Sequence, residues 1–164
     1  VNSDDLHRLI NDLSQARLSI ATAESVTGGA LCARLVDVPG ASAVVRGGVC
    51  TYATDLKASV LGVDADLLAA RGPVDAEVAL QMARGVRALM GADIGVSTTG
   101  VAGPGPADGH EVGTVHIAVN GPGGEDHREL HLVGERAQIR ALSVDAALHL
   151  VRSVLDSGDQ GAGD

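Results

Sequence analysis

The 164-residue chain contains no phenylalanine and no tryptophan, and Tyr52 is its one tyrosine. Without large rings, the interior must be filled by Ala, Val, Leu and Ile, many small side chains rather than a few large ones, which suits closely packed helices and strands. Cations are also scarce. Twelve Lys and Arg against 21 Asp and Glu give a net charge of −9 and a pI near 4.9. The basic residues are scattered, whereas a duplex-binding surface needs them clustered to displace counterions, so duplex nucleic acid is not an expected partner. The two cysteines, Cys32 and Cys50, sit in apolar stretches without a CxxC pattern. They are expected as buried free thiols, as suits a reducing cytoplasm. No apolar run approaches the ~20 residues that span a bilayer and no signal peptide opens the sequence, so a soluble cytoplasmic protein without a membrane partner is expected. The length suits one domain with a core large enough to need neither disulfide nor metal.

What is present alternates between two periodicities. Leu6, Leu9, Ile10 and Leu13 fall at helical spacing after Ser3, a possible cap. Residues 18–23 then predict a strand, 28–35 a helix, and 43–51 a second strand with a bulge or close approach at Gly47-Gly48. Thr54 or Asp55 is expected to cap a short helix that Gly62 ends. A helical turn over 64–70 precedes Gly72-Pro73, after which Asp75 caps a longer helix with Val78, Met82, Val86 and Leu89 inward and Gly91 at its end. Residues 94–98 predict a strand, followed by a Gly/Pro-rich loop over 99–106. Residues 113–119 and 127–133 predict a hairpin around the turn 120–124. A closing helix over 135–155 turns Ile139, Leu142, Val144, Ala147, Leu148, Val151 and Val154 mostly to one side. The fold class is therefore α/β: a three-layer α/β/α sandwich on a mixed, mostly parallel sheet with a C-terminal hairpin. Residues 1–155 form the single domain, and 156–164, with nothing to bury, are expected as a disordered tail.

Three loops follow presumed strand ends: 24–29, 52–57 and 99–105. Ligands in open α/β sheets bind at that edge, so their convergence would make one pocket. The turn Ser25-Val26-Thr27-Gly28-Gly29 presents helix-start N–H groups that suit an anion, or is simply a capped helix start. It matches neither a Walker A loop nor a dinucleotide fingerprint. Ser42, after Pro39-Gly40, is either an ordinary turn serine or a nucleophile, and Lys57 either a solvated lysine or the base that activates it. Glu24 and Asp55 are possible ion-pair partners for Lys57. None of the six histidines has the spacing of a zinc helix, so no metal and no cofactor are expected.

The segments TAESVTGG (22–29), VPGAS (38–42), GGVCTYATDLK (47–57), LGV (61–63), TTGVAGPGP (98–106), VGTV (112–115) and GER (134–136) together resemble the CinA C-terminal domain family. Its stand-alone members include nicotinamide-nucleotide amidohydrolases. The resemblance covers nearly the whole chain in family order. It implies a metal-independent serine amidohydrolase of the pyridine nucleotide cycle that acts on the linear amide of nicotinamide mononucleotide, giving nicotinate mononucleotide and ammonia. It also implies a serine nucleophile with lysine and tyrosine partners, which map onto Ser42, Lys57 and Tyr52. Substrate contacts are expected at Ser25, Thr27, Gly28, Gly29, Thr99, Gly100 and Gly103, with the phosphate on the Thr27-Gly28-Gly29 helix start or near Arg136 and Arg140. A homo-oligomer is expected. The chain departs from the family pattern at Val26, Thr54, Asp75 and Glu111, none of them in the expected catalytic trio. The competing reading is a non-catalytic nucleotide-binding or competence-related protein-interaction module, which needs the glycine loops but not the trio.

Overall fold

The first helix, α1 (Ser3–Ala16), forms because Leu6, Leu9, Ile10 and Leu13 lie on one stripe and are all buried. Asn2 caps it rather than Ser3, its side-chain oxygen accepting the Asp5 N–H at 2.9 Å. The structure, a computed structural model, describes residues 1–159. The chain continues through β1 (Ile20–Glu24), α2 (Ala30–Val36), a short 3₁₀ turn (Ala41–Ala43), β2 (Val45–Cys50), α3 (Thr54–Leu61), α4 (Ala65–Arg71) and α5 (Ala76–Met90). It ends with β3 (Ile94–Gly100), β4 (Thr114–Gly121), β5 (Gly124–His131) and α6 (Arg136–Asp159).

The five strands form one sheet in the order β2-β1-β3-β4-β5. Strand β1 runs parallel to both β2 and β3, while β4 and β5 are antiparallel additions. The parallel part follows from the connections, since parallel neighbours need a crossover and helices supply it. Crossover α2 joins β1 to β2 on one face, and α3 to α5 join β2 to β3 on the other. Ile20, Val96 and Ile117 pack with Leu6, Leu31, Ile139 and Leu148 on the first face. Ala21 and Ala23 pack with Leu61, Val78, Met82 and Val86 on the second. Covered on both sides, β1 is buried at every position.

The shortage of rings is met by close approach. Helix α5 lays Ala79 and Ala83 against Ala118, and Ser97 Oγ donates to the Ala79 carbonyl at 2.6 Å. Gly85 and Gly95 leave no space for a β-carbon, which would run into the carbonyls of Leu61 and Ala83. Asp75 caps α5 as expected, accepting from Glu77 and Val78 N–H, and Gly91 closes it at φ 58°.

Several expectations need correction. Leu89 and Leu142 are 51% and 42% exposed rather than inward. The hairpin turn is only Pro122-Gly123, so β5 begins at Gly124, three residues before the expected 127. Helix α6 continues to Asp159 where a structureless tail was expected from 156; residues 160–164 of that tail lie outside the described residues. Cys32 is half-buried and Cys50 exposed, both as free thiols. Among the described residues no helix is long and apolar enough to cross a membrane.

Candidate active site

Strand β1 leaves the sheet at Ser25, whose N–H extends the ladder by donating to the Thr98 carbonyl at 2.9 Å. The chain then turns through Gly28 and Gly29, at φ 58° and 100°, into α2. The last residue of β1, Glu24, is 1% exposed and faces that helix start. Its Oε1 accepts from Thr27 Oγ1 (2.6 Å), Leu31 N (2.8 Å) and Gly29 N (3.1 Å), and its Oε2 from Cys32 N (2.9 Å) and Thr22 Oγ1 (3.2 Å). The carboxylate thus gives partners to helix-start N–H groups that would otherwise have none.

Across the same sheet edge, α3 begins four residues after β2 ends, and its inward side chain is Lys57, which has no exposed surface. Lys57 is the only lysine in the chain. Its Nζ donates to the Thr51 carbonyl at 2.6 Å and lies 3.0 Å from Ser25 Oγ. Among the described residues no carboxylate stands within ion-pair distance of it, so neither Glu24 nor Asp55 neutralises it. Loss of water around the ammonium lowers the Lys57 pKa from 10.5 to about 8, with Asp108 pulling weakly the other way. A lysine so placed is neutral often enough to take the hydroxyl proton of the serine beside it.

Ser25 and Lys57 open on a cleft of about 230 Å³, floored by Thr99, Gly100 and Ala102 and walled by Tyr52, Thr54 and Val74. At its rim, Arg136 donates to the Gly103 carbonyl (2.7 Å) and to the Tyr52 hydroxyl (3.0 Å). The rim joins the loop after β2, the loop after β3 and the start of α6. The loops after β1 and β2 diverge because α2 and α3 go to opposite faces of the sheet, and that divergence opens the crevice. The Val26 N–H finds no acceptor among the described residues, and neither do those of Ala102 and Gly103.

The expected trio is not brought together. Ser42 sits in the 3₁₀ turn that leads into the N-terminal end of β2, whereas Tyr52 and Lys57 follow its C-terminal end. The six residues of β2 put about 20 Å between them. The serine beside Lys57 is Ser25, expected above as a substrate contact. Thr99, Gly100, Gly103 and Arg136 line the cleft as expected. Thr27, Gly28 and Gly29 do not: Thr27 is fully buried against Glu24 and Thr98, and the Gly29 N–H is already taken. Arg140 is committed behind the turn, donating to the Val26 (3.1 Å) and Thr27 (2.7 Å) carbonyls. Of the departures from the family pattern, Val26 and Thr54 line the cleft, while Asp75 caps α5 and Glu111 is exposed away from it.

The signal that would have located the serine beside Lys57 was chain direction. Ser25 follows its strand and Ser42 precedes its own, so only Ser25 can share an edge with Lys57. A larger groove of about 670 Å³ between α1 and α6, bordered by Asp12, Leu18, Pro122 and Arg152, holds no comparable nucleophile and base among the described residues. Among the described residues no group of three or more His, Cys, Asp or Glu is placed to hold a metal ion.

Comparison with known proteins places this architecture. A CinA-like protein of Frankia casuarinae is 53% identical over 143 residues, covering 87% of this chain and 33% of that protein. The chain spans about a third of the length of the curated relatives it matches. Among solved structures, the competence/damage inducible protein CihA from Agrobacterium tumefaciens is 36% identical, with TM-score 0.86 over 92% of this chain and 95% of that one. A CinA superfamily protein from Klebsiella pneumoniae is 32% identical, with TM-score 0.89 over 94% and 97%. The family model described as CinA C-terminal domain matches residues 4–155. With that match spanning the whole sheet and every loop of the cleft, the chain belongs to the CinA C-terminal domain family.

Proposed function

We propose that this domain hydrolyses the carboxamide of nicotinamide mononucleotide, with Ser25 as nucleophile and Lys57 as its base. The observation that carries the reading is the 3.0 Å contact between Ser25 Oγ and a buried lysine amine that has no ion-pair partner among the described residues and whose pKa is lowered to about 8. Ser25 Oγ attacks the amide carbon while its proton passes to the neutral Nζ. The oxyanion that forms is taken by free loop N–H groups, for which Val26, Ala102 and Gly103 are the candidates. When the intermediate collapses, the C–N bond breaks, and the leaving nitrogen takes a proton from the Lys57 ammonium and departs as ammonia. Tyr52, whose oxygen accepts from Arg136, keeps its own O–H proton free to relay that transfer. Water then attacks the acyl-serine, Lys57 again accepting a proton, and the carboxylate product leaves with Ser25 restored.

The phosphate belongs at Arg136. Two of the five guanidinium N–H groups are used on Gly103 and Tyr52, and the other three have no acceptor among the described residues. The α2 helix start is not available for it, because Glu24 already satisfies those donors. The test is ammonia release from nicotinamide mononucleotide by the purified protein, before and after exhaustive chelation. Turnover that survives chelation is expected, and absence of turnover with tight nucleotide binding would favour a binding module instead.

A further inference from the structure

We propose that Asp108, the one carboxylate among the described residues that line the Ser25–Lys57 cleft, selects substrates whose ring carries a positive charge beside the carboxamide. The inference rests on the amidohydrolase reading above and extends it from the reacting amide to the ring that bears it.

Asp108 is held in place by its turn. The Ala107 N–H donates to the His110 carbonyl at 3.1 Å, and the His110 N–H to the Ala107 carbonyl at 2.9 Å. The two residues between them, Asp108 and Gly109, both take left-handed backbone, at φ 51° and 79°. This is the type I′ pattern, which favours Asp or Asn followed by Gly and leaves little freedom at the tip. The Asp108 side chain lines the cleft, yet accepts no hydrogen bond and joins no ion pair among the described residues. It has no evident duty in the fold. Among the described residues the only other charged groups lining the cleft are Lys57 and Arg136, so an anionic tip shares a cleft of about 230 Å³ with an amine and a guanidinium.

That layout suits a particular ligand chemistry. An N-alkylated pyridinium carries its positive charge on a nitrogen that can neither donate nor accept a hydrogen bond. Recognition of that charge is left to an opposing anion or to an aromatic face. The cleft has one ring, Tyr52, and its hydroxyl is engaged by Arg136. Asp108 is the anion. With the carboxamide at Ser25 and the phosphate at Arg136, the ring in between lies within the field of Asp108. A neutral ring of the same shape gains nothing from it.

The test is Asp108→Asn, which the type I′ position accepts as readily as Asp. Two probes are compared: nicotinamide mononucleotide as the cationic substrate, and its reduced dihydropyridine form, with a neutral ring, as a competitive inhibitor. The substitution is expected to raise KM for the cation about two- to fivefold, the scale of one solvent-exposed charge pair, and to leave the inhibition constant of the neutral form unchanged. The acid limb of the rate profile should also move to lower pH, because Asp108 holds the Lys57 pKa up. An equal change for both probes, or none for either, overturns the inference while leaving the amidohydrolase reading intact. Absence of ammonia release from the unsubstituted protein overturns that reading and this inference with it.

Discussion

In the proposed mechanism Lys57 links catalysis and stability through one proton, and its replacement by Met tests both. With its pKa at about 8, roughly one molecule in ten carries a neutral Lys57 at pH 7, against about one in three thousand for an ordinary lysine at 10.5. The rate of amide hydrolysis should therefore rise with pH and level off near 8. Lys57→Met should lose at least about 100-fold in turnover, the lower end of what general-base removal costs. The same pKa fixes a stability slope. Because the folded value is below the unfolded one, between pH 8 and 10.5 the unfolded chain still holds the proton that the folded chain has released. Stability then rises with pH across that window, and the penalty of burying the ammonium is fully present only below it. The interval corresponds to about 3 kcal/mol. Denaturant unfolding of both proteins from pH 7 to 11 isolates this term, since every other titrating group is common to both and cancels in the difference. A difference curve that stays flat, together with a rate limb near 10, would show that Lys57 is an ordinary solvated cation and not the base.

Three further outcomes follow from the same geometry. Ser25→Ala should lower ammonia release at least about 1000-fold, whereas Ser42→Ala, on the far edge of the sheet, should leave it within twofold; the reverse pattern returns the nucleophile to Ser42. Glu24→Gln swaps one acceptor oxygen for a donor NH₂ and strands at least two of the five donors now satisfied. A loss of about 2–4 kcal/mol is expected by denaturant titration, and an unchanged midpoint would mean that water replaces the carboxylate. His116 Nδ1 and His127 Nε2 lie 2.9 Å apart in stacked rings, so one proton serves both. Burial lowers the pKa of each, assisted at His116 by His127, while Glu129 and Asp75 oppose at both, joined at His127 by Asp126. Their contribution is present above the unfolded value near 6.5 and is lost as pH falls through the lower folded values. His127→Gln should flatten that acid limb of the stability curve, and an unaltered limb would assign it to carboxylates.

Much of the fold was legible because local signals agreed with packing. The Leu6 to Leu13 stripe, the Asp75 cap and the glycines at 62 and 91 each act within a turn or two, so sequence alone carries them. β5 was misplaced at its start for an equally physical reason. It is an edge strand of Glu, Asp, His and Arg, mostly half-buried or exposed, and so lacks the apolar alternation by which strands are recognised. The site was half legible. Lys57, Tyr52 and Arg136 stood out by chemistry, but the nucleophile role fell to Ser42 through the family resemblance, by its place in VPGAS and its spacing to Tyr52 and Lys57. Which end of a strand a residue occupies is a property of the sheet, set by pairing between β1 and β2, and no local pattern reports it. Glu24 was legible as an acid but not as a cap, since its five donors come from residues brought round by the turn after β1.

The solitary tyrosine has an experimental consequence. With no tryptophan to outshine it, all ordinary aromatic fluorescence of the chain comes from Tyr52, 64% exposed on the cleft rim with its oxygen hydrogen-bonded to Arg136. Unfolding moves that ring from one wet setting to another, so its emission follows denaturation poorly, and backbone dichroism is the better probe of stability. A pyridine ring arriving in the cleft meets it directly. The protein thus carries a built-in optical sensor whose signal belongs to occupancy of the cleft, readable without a label and in the same cuvette as the ammonia assay.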